Sequence, residues 1–295
     1  MRLKADLTLL FVAVIWGSAF VAQRVAGQLG SVYLFNGVRY ILAGLVVLPF
    51  VRRNSISSRP REQYKWMFVA GFLLFVAAAF QQAGMLYTTA GNAGFITSLY
   101  VVFVPFVVLL GWKEKPHRLS IMAVILAGAG AYLLSTGGQF EVQRGDVLEL
   151  VGALFWAMHV VMLGKFASQF EPLSFSAGQL LVGGFLNLLL GFFVEQPVFT
   201  WSLAGAAVYT AVMSLGLCYT LQVWAQRHTP PSDAALILSL ESVFAVLAGW
   251  VLLGERLGGV QIAGCVLIFG AVAVSQFKEW SLQGTMDTDR LVEGR

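Results

Sequence analysis

Charged side chains make up only 12% of this 295-residue chain, too few to build the polar exterior of a soluble domain. Cysteine is rarer still. The two present, Cys218 and Cys265, fall inside apolar runs without metal-type spacing, so they read as packing residues rather than as a disulfide framework or a metal centre. Signature loops are missing as well. No GxxxxGK[ST] segment exists to cradle ATP, and there is no GxSxG elbow and no HExxH helix; direct ATP-driven transport and the common hydrolase mechanisms therefore lack their machinery. No cofactor or metal is expected. Period-2 alternation is absent too, which removes a transmembrane barrel.

Apolar sequence is what the chain has in abundance: 58% of residues are hydrophobic and the mean hydropathy is +0.77. Windows of about 19 residues place ten spans, at 5–25, 31–51, 65–87, 90–111, 118–136, 145–166, 173–194, 201–225, 232–253 and 258–277. Each is long enough to cross roughly 30 Å of hydrocarbon as a helix. The fold class is an all-α membrane protein. Arg2 and Lys4 precede the first span as they would a secretory signal, but no small-residue cleavage site follows, and Trp16, Gly17, Ser18 and Gln23 lie within it; it reads as a retained helix. The net charge of +4 needs no nucleic acid to explain it. With the N-terminus inside, fifteen Lys and Arg fall in cytoplasmic segments and three, Arg24, Arg144 and Arg256, in the opposite loops, so the positive-inside rule places both termini in the cytoplasm. The polar stretch 281–295 is expected to be a disordered cytoplasmic tail.

The spans echo one another. A constant offset of 141 sets Ala93 against Ala234, Ile96 against Ile237, Ser98 against Ser239, Leu99 against Leu240, Phe103 against Phe244 and Glu114 against Glu255. At an offset of 140, Trp16 matches Trp156 and Arg39 falls opposite Gln179. The chain divides into repeats at 5–136 and 145–277, five spans each. Five is odd, so the second repeat enters the membrane in the opposite sense. Two inverted five-helix repeats enclose a site near the midplane and expose it to either side in turn, the architecture of secondary transporters.

Several motifs carry a family resemblance. The segment LESVFAVLAGWVLLGERLGGVQIAGCVLIFGAVAVS at 240–275 resembles the end of an EamA-type domain of the drug/metabolite transporter superfamily, and 99–135 resembles its first copy. WGSAF at 16–20, FNGVRY at 35–40 and LLGE at 252–255 belong to the same likeness. It covers nearly the whole chain and implies ten helices, two EamA repeats, and export of small metabolites, amino acids or drugs across a bacterial inner membrane. Ser242 departs from the pattern, since many relatives have proline after the glutamate; the helix distortion which that proline brings is in question here.

Buried polar residues are the candidates for chemistry. Glu241 falls near mid-membrane on helix 9, where a carboxylate must be paired, solvated or protonated; Ala234, Ala245 and Ala248 share its face, which suits a cavity wall or helix interface better than lipid. It reads as a ligand for a substrate amine or as a proton-coupling carboxyl, against a structural carboxyl bonded to neighbouring helices. Arg39 shares a helix face with Asn36 and can bind a carboxylate, pair with Glu241, or bond backbone carbonyls in a purely packing role. His159, one turn beyond Trp156, can relay protons or serve as a polar packing residue. Gln81, Gln82, Asn92 and Tyr100 offer uncharged donors and acceptors around helices 3 and 4. Trp16, Trp156, Tyr219 and Gln222 add aromatic and polar lining. Pro105 removes a hydrogen bond within helix 4 and marks a kink, and Ala123, Ala127 and Ala131 with Gly128 and Gly130 read as a close helix-packing seam.

These readings converge on an exporter of small organic metabolites, amino acids or related compounds, working by alternating access as a uniporter, a solute exchanger or a proton antiporter. Its partners are the small-molecule substrate and the bilayer, with no nucleic acid, and it acts as a monomer or homodimer. Alternatives are an importer or exchanger of phosphorylated or nucleotide-linked solutes, a membrane scaffold or sensor without flux, and an intramembrane enzyme using His159 and Glu241 as acid and base.

Overall fold

A polypeptide crossing hydrocarbon must satisfy its backbone polar groups internally, and a continuous helix does so without help from neighbours. The computed structural model, which describes residues 1–29, 31–51, 60–88, 90–136, 144–253 and 258–274, is helical nearly throughout, with no strand among the described residues. The first repeat holds α1 (Arg2–Gln28), α2 (Tyr33–Val47), α3 (Pro60–Gly84), a fourth span split into α4 (Ala90–Ser98) and α5 (Tyr100–Trp112), and α6 (Arg118–Thr136). The second holds α7 (Arg144–Phe166), α8 (Pro172–Val194), an eighth span of α9 (Trp201–Tyr209) and α10 (Cys218–Ala225) joined by a π-helical segment at Thr210–Leu217, then α11 (Pro231–Leu238) with α12 (Glu241–Leu253), and finally α13 (Gly259–Val274). Eight segments are long and apolar enough to span a membrane, and α6 and α13 are the shorter apolar helices that complete ten. Residues 281–295, the expected disordered tail, lie outside the described residues.

Packing follows the inverted repeat. Helix α2 lies against its own counterpart α8; α3 packs on α7 as the eighth span packs on α1; and the split fourth span meets α7 as the split ninth meets α1. The helices α1, α2, α3, α7 and α8 thus pack extensively against the opposite repeat. Helix ends are capped across the halves too: the Glu195 carboxylate at the end of α8 accepts hydrogen bonds from the backbone N–H groups of Val32, Tyr33 and Leu34 (2.9–3.0 Å) at the start of α2. A carboxylate there also complements the positive end of the helix dipole.

The small-residue seam of α6 is built as expected. Ala123, Ala127 and Ala131 are buried, and Gly130 meets Gly264 of α13 so closely that a Cβ on Gly264 would lie 2.5 Å from the Gly130 carbonyl oxygen. Backbone cannot yield as a side chain can. Gly264→Val is therefore expected to lower stability by about 2 kcal/mol, whereas Gly270→Val on the same helix, with nothing within 4 Å of its added Cβ, is nearly neutral. Thermal unfolding of the two variants in detergent, followed by tryptophan fluorescence, checks the contrast.

Both the fourth and ninth spans break at the same repeat position. The Ser98 hydroxyl donates to the Phe95 carbonyl and the Ser239 hydroxyl to that of Leu236, each at 2.7 Å, while Leu99 and Leu240 form tightened backbone bonds three residues back. Serine back-bonding of this kind competes with the regular helix ladder. Pro105 is not the cause: it lies inside α5, beyond the break, and the ninth span breaks with no proline after Glu241. There the Ser242 hydroxyl donates to the Ser239 carbonyl instead (2.8 Å).

Candidate functional site

The two breaks set Tyr100 at the head of α5 and Glu241 at the head of α12, the same position in the two repeats. A half-helix N-terminus presents free N–H groups and the positive end of its dipole, so Glu241 stands where a carboxylate is best tolerated inside a bilayer. It is 3% exposed and forms no ion pair among the described residues. The Tyr100 hydroxyl interacts with it electrostatically but without full hydrogen-bond geometry; Tyr100 Oη and Glu241 Oε1 both lack a hydrogen-bond partner.

Between the repeats lies a cavity with about 40 Å³ of space open to the centre of a water molecule. Of the candidates read from sequence, Trp16, Arg39, Gln81, Tyr100, Trp156, Tyr219, Gln222 and Glu241 line it. Its wall is aromatic. The Tyr219 ring lies 5.2 Å from that of Trp16 and 6.3 Å from that of Trp156, so two tryptophans at matching repeat positions flank one tyrosine, which interacts with both Arg39 and Glu241. The π-helical segment explains how Trp16 is held: local unwinding withdraws a carbonyl from the helix ladder, and the Trp16 indole N–H donates to the Ser214 carbonyl at 2.8 Å.

Arg39 is 2% exposed. Its Nε and Nη2 both donate to Asn36 Oδ1 (3.0 and 2.8 Å), Asn36 Nδ2 in turn donates to the Ala78 carbonyl, and the guanidinium lies over the Phe35 and Tyr40 rings at 5.1 and 5.5 Å. The ion pair with Glu241 that the sequence allows is not formed: the guanidinium and the carboxyl line one cavity without bonding to each other. Alongside them, Trp156 Nε1, Gln23 Oε1 and both amide atoms of Gln222 are buried without a partner, and all belong to lining residues.

Two sequence candidates fall elsewhere. His159 is fully buried and its Nε2 bonds Gln179 Oε1 at 2.9 Å; its ring abuts Tyr219 and Trp156 edge-on from behind the lining. No hydrogen bond joins it to Glu241 among the described residues, so the acid–base pair has no direct link. Gln82 turns to α1, where its amide donates to the Gln23 carbonyl (3.0 Å). The side chain of Asn92 lies outside the described residues. Conversely, Tyr40 and Thr97 line the cavity; Tyr40 closes the FNGVRY run, which marked the family likeness but no site, and nothing in its sequence context set Thr97 apart from ordinary helix residues. Among the described residues no group of three His, Cys, Asp or Glu is placed to hold a metal.

Comparison with known proteins bears on the family and the fold. The chain is 36% identical over 274 residues to an uncharacterized transporter of Archaeoglobus fulgidus, covering 92% of this chain and 86% of that one. It is 25% identical over 275 residues to the uncharacterized inner membrane transporter YedA of Escherichia coli (89% and 87% covered), and 23% identical over 281 residues to a chloroplastic WAT1-related protein of Arabidopsis thaliana (90% and 67% covered). A solved crystal structure at 18% identity superposes with a TM-score of 0.79 over 94% of this chain and 97% of the other, which shows a shared fold. The sequence profile of the EamA-like transporter family matches twice, over residues 3–136 and 143–276. This multi-pass membrane protein of ten helices in two inverted repeats belongs to the EamA-like transporter family, within the drug/metabolite transporter superfamily.

Proposed function

We propose that the protein is a secondary transporter that exports a small zwitterionic metabolite, an amino acid or a related compound, by alternating access. The observation that carries this reading is the coexistence of Arg39 and Glu241 in the lining of one cavity without an ion pair between them. A solute with a carboxylate and an ammonium group satisfies both at once, and the tryptophan–tyrosine wall receives an apolar or aromatic side chain. Arg39 is the single cation among the described lining residues, which argues against phosphorylated solutes, whose charge calls for several. Glu241 alternates between a proton and the solute, so that occupancy by one excludes the other.

Alternating access also needs contacts that break between states. The Arg2 guanidinium bridges Asp6 (3.0 Å) on its own helix and Asp233 (2.9 Å) on α11, and Lys165 of α7 meets Glu114 beyond α5. Both inter-repeat pairs lie at the same end of the bundle, the cytoplasmic end if the termini face the cytoplasm of a bacterial inner membrane. Partners are the solute, protons and the lipid bilayer; the protein acts as a monomer or homodimer.

Counterflow in proteoliposomes tests the assignment with separate panels of labelled amino acids, nucleosides, phosphorylated sugars and organic cations. Saturable exchange confined to amino acids supports it. Exchange of phosphorylated sugars alone, or the absence of exchange for every compound, overturns it.

A further inference from the structure

Glu149 plays no part in the proposed solute site, yet it is fully buried. It sits five residues into α7, roughly 7.5 Å along the helix from Arg144, between the cavity and one end of the bundle. A chain of hydrogen bonds joins it to the cavity. Gln81 Nε2 donates to Thr97 Oγ1 at 2.9 Å, and Thr97 Oγ1 donates to Glu149 Oε2 at 3.1 Å; Gln81 and Thr97 line the cavity, whereas Glu149 does not.

The other carboxyl oxygen, Oε1, has no hydrogen-bond partner. On the α3 side it faces Gly84, where a Cβ would lie 2.9 Å from Oε1 and 2.6 Å from Glu149 Cγ, so the glycine keeps open the space the carboxyl occupies. The charged and titratable groups of the surrounding elements leave it unneutralised. Asp146 on α7 adds like charge; α3 presents Gln81 and Gly84 and α4 presents Thr97, all uncharged; Tyr100 heads α5 and interacts with Glu241; and Arg24 of α1 donates to the Met85 carbonyl. No ion pair to Glu149 is formed among the described residues.

A fully buried carboxylate with one hydroxyl donor and no cation is costly in a membrane interior, and protonation removes that cost. We infer that Glu149 is a second proton-binding site, separate from Glu241, that exchanges its proton with the cavity through Thr97. In the release step the Thr97 hydroxyl turns its own proton from Glu149 Oε2 toward the cavity and accepts from the protonated carboxyl; the Glu149 O–H bond then breaks as its proton passes to Thr97 Oγ1, and the proton already on Thr97 passes to a water molecule in the cavity, leaving a carboxylate and a hydronium ion. A solute that draws Gln81 or Thr97 into its own hydrogen bonds breaks the relay, which ties the proton on Glu149 to occupancy of the cavity. That coupling role rests on the proposed solute transport, whereas the proton site itself does not.

Infrared spectroscopy of the full-length protein in liposomes at neutral pH reads the site without any solute. The Glu149 component of the protonated-carboxyl band is expected in wild type and in Glu241→Gln, and to be missing in Glu149→Gln, where only the Glu241 component remains. Thr97→Val is expected to shift that band and to slow its hydrogen–deuterium exchange about tenfold, the equivalent of one relay hydrogen bond in the barrier. An unchanged band in Glu149→Gln overturns the inference, and, should that variant fail to fold, so does a band that Thr97→Val neither shifts nor slows. Transport then tests coupling: Glu149→Gln is expected to keep counterflow of the labelled amino-acid panel and to lose accumulation driven by an imposed pH gradient. A variant that still accumulates solute overturns the coupling role, while absence of exchange in wild type overturns the proposed solute and leaves the infrared result standing.

Discussion

Glu241→Gln is expected to lower exchange of amine-bearing solutes by about thirty- to a hundredfold, equivalent to roughly 2–3 kcal/mol for a lost charge-assisted bond in a desolvated site. Glutamine keeps the volume and both polar atoms of the side chain, so the break between α11 and α12, which Ser239 and Ser242 hold through their carbonyl bonds, remains intact. What disappears is the negative charge at the head of α12. The loss should depend on the solute: an analogue without its amino group has nothing to offer Glu241, and its exchange should change little. Counterflow of a matched pair of labelled compounds, with and without the amine, measures the difference. Equal losses for both would mean that Glu241 holds the helix break rather than the solute.

Arg39→Met is expected to show the mirror-image selectivity. Binding of carboxylate-bearing solutes should weaken by about a hundredfold, while the corresponding amine lacking a carboxylate is much less affected. A stability cost accompanies it. Asn36 Oδ1, which now accepts two bonds from the guanidinium, is left buried without them, at a cost of about 1–3 kcal/mol. Arg39→Lys separates the two effects, because an ammonium keeps the charge but cannot reproduce the fork to Asn36 or the planar contact with Phe35 and Tyr40. It should retain part of the carboxylate preference and lose stability nonetheless. Half-saturation constants for the solute pair, with melting curves of the same samples, check both. A variant that melts early yet keeps its full preference for carboxylates would make Arg39 a packing residue.

Glu241 and Arg39 stood out in the sequence because charge is so rare in these spans that each one asks for a partner. Trp16 and Trp156 stood out because the repeat pairs them. Glu149 and Thr97 did not: a glutamate five residues from the start of a span reads as interfacial, and a threonine is ordinary on any helix. Only the approach of α3 and α4 to α7 turns them into a buried relay. His159 is the opposite case. Its position at mid-helix suits the cavity, but its imidazole bonds Gln179 of α8, the polar packing arrangement that the sequence also allowed.

The sequence by itself determined the ten spans, the two repeats and their inversion, since these follow from apolar length, from a constant offset and from an odd number of crossings. The placement of the helix breaks lay beyond its reach, as Pro105 drew attention to the wrong turn. Tertiary structure decided which polar groups meet. Period and hydropathy fix where a side chain sits along a helix, while the facing of one helix against another depends on close approaches such as that of Gly130 to Gly264, summed over the whole bundle. That facing left Arg39 and Glu241 unpaired in one cavity and placed Glu149 outside its lining.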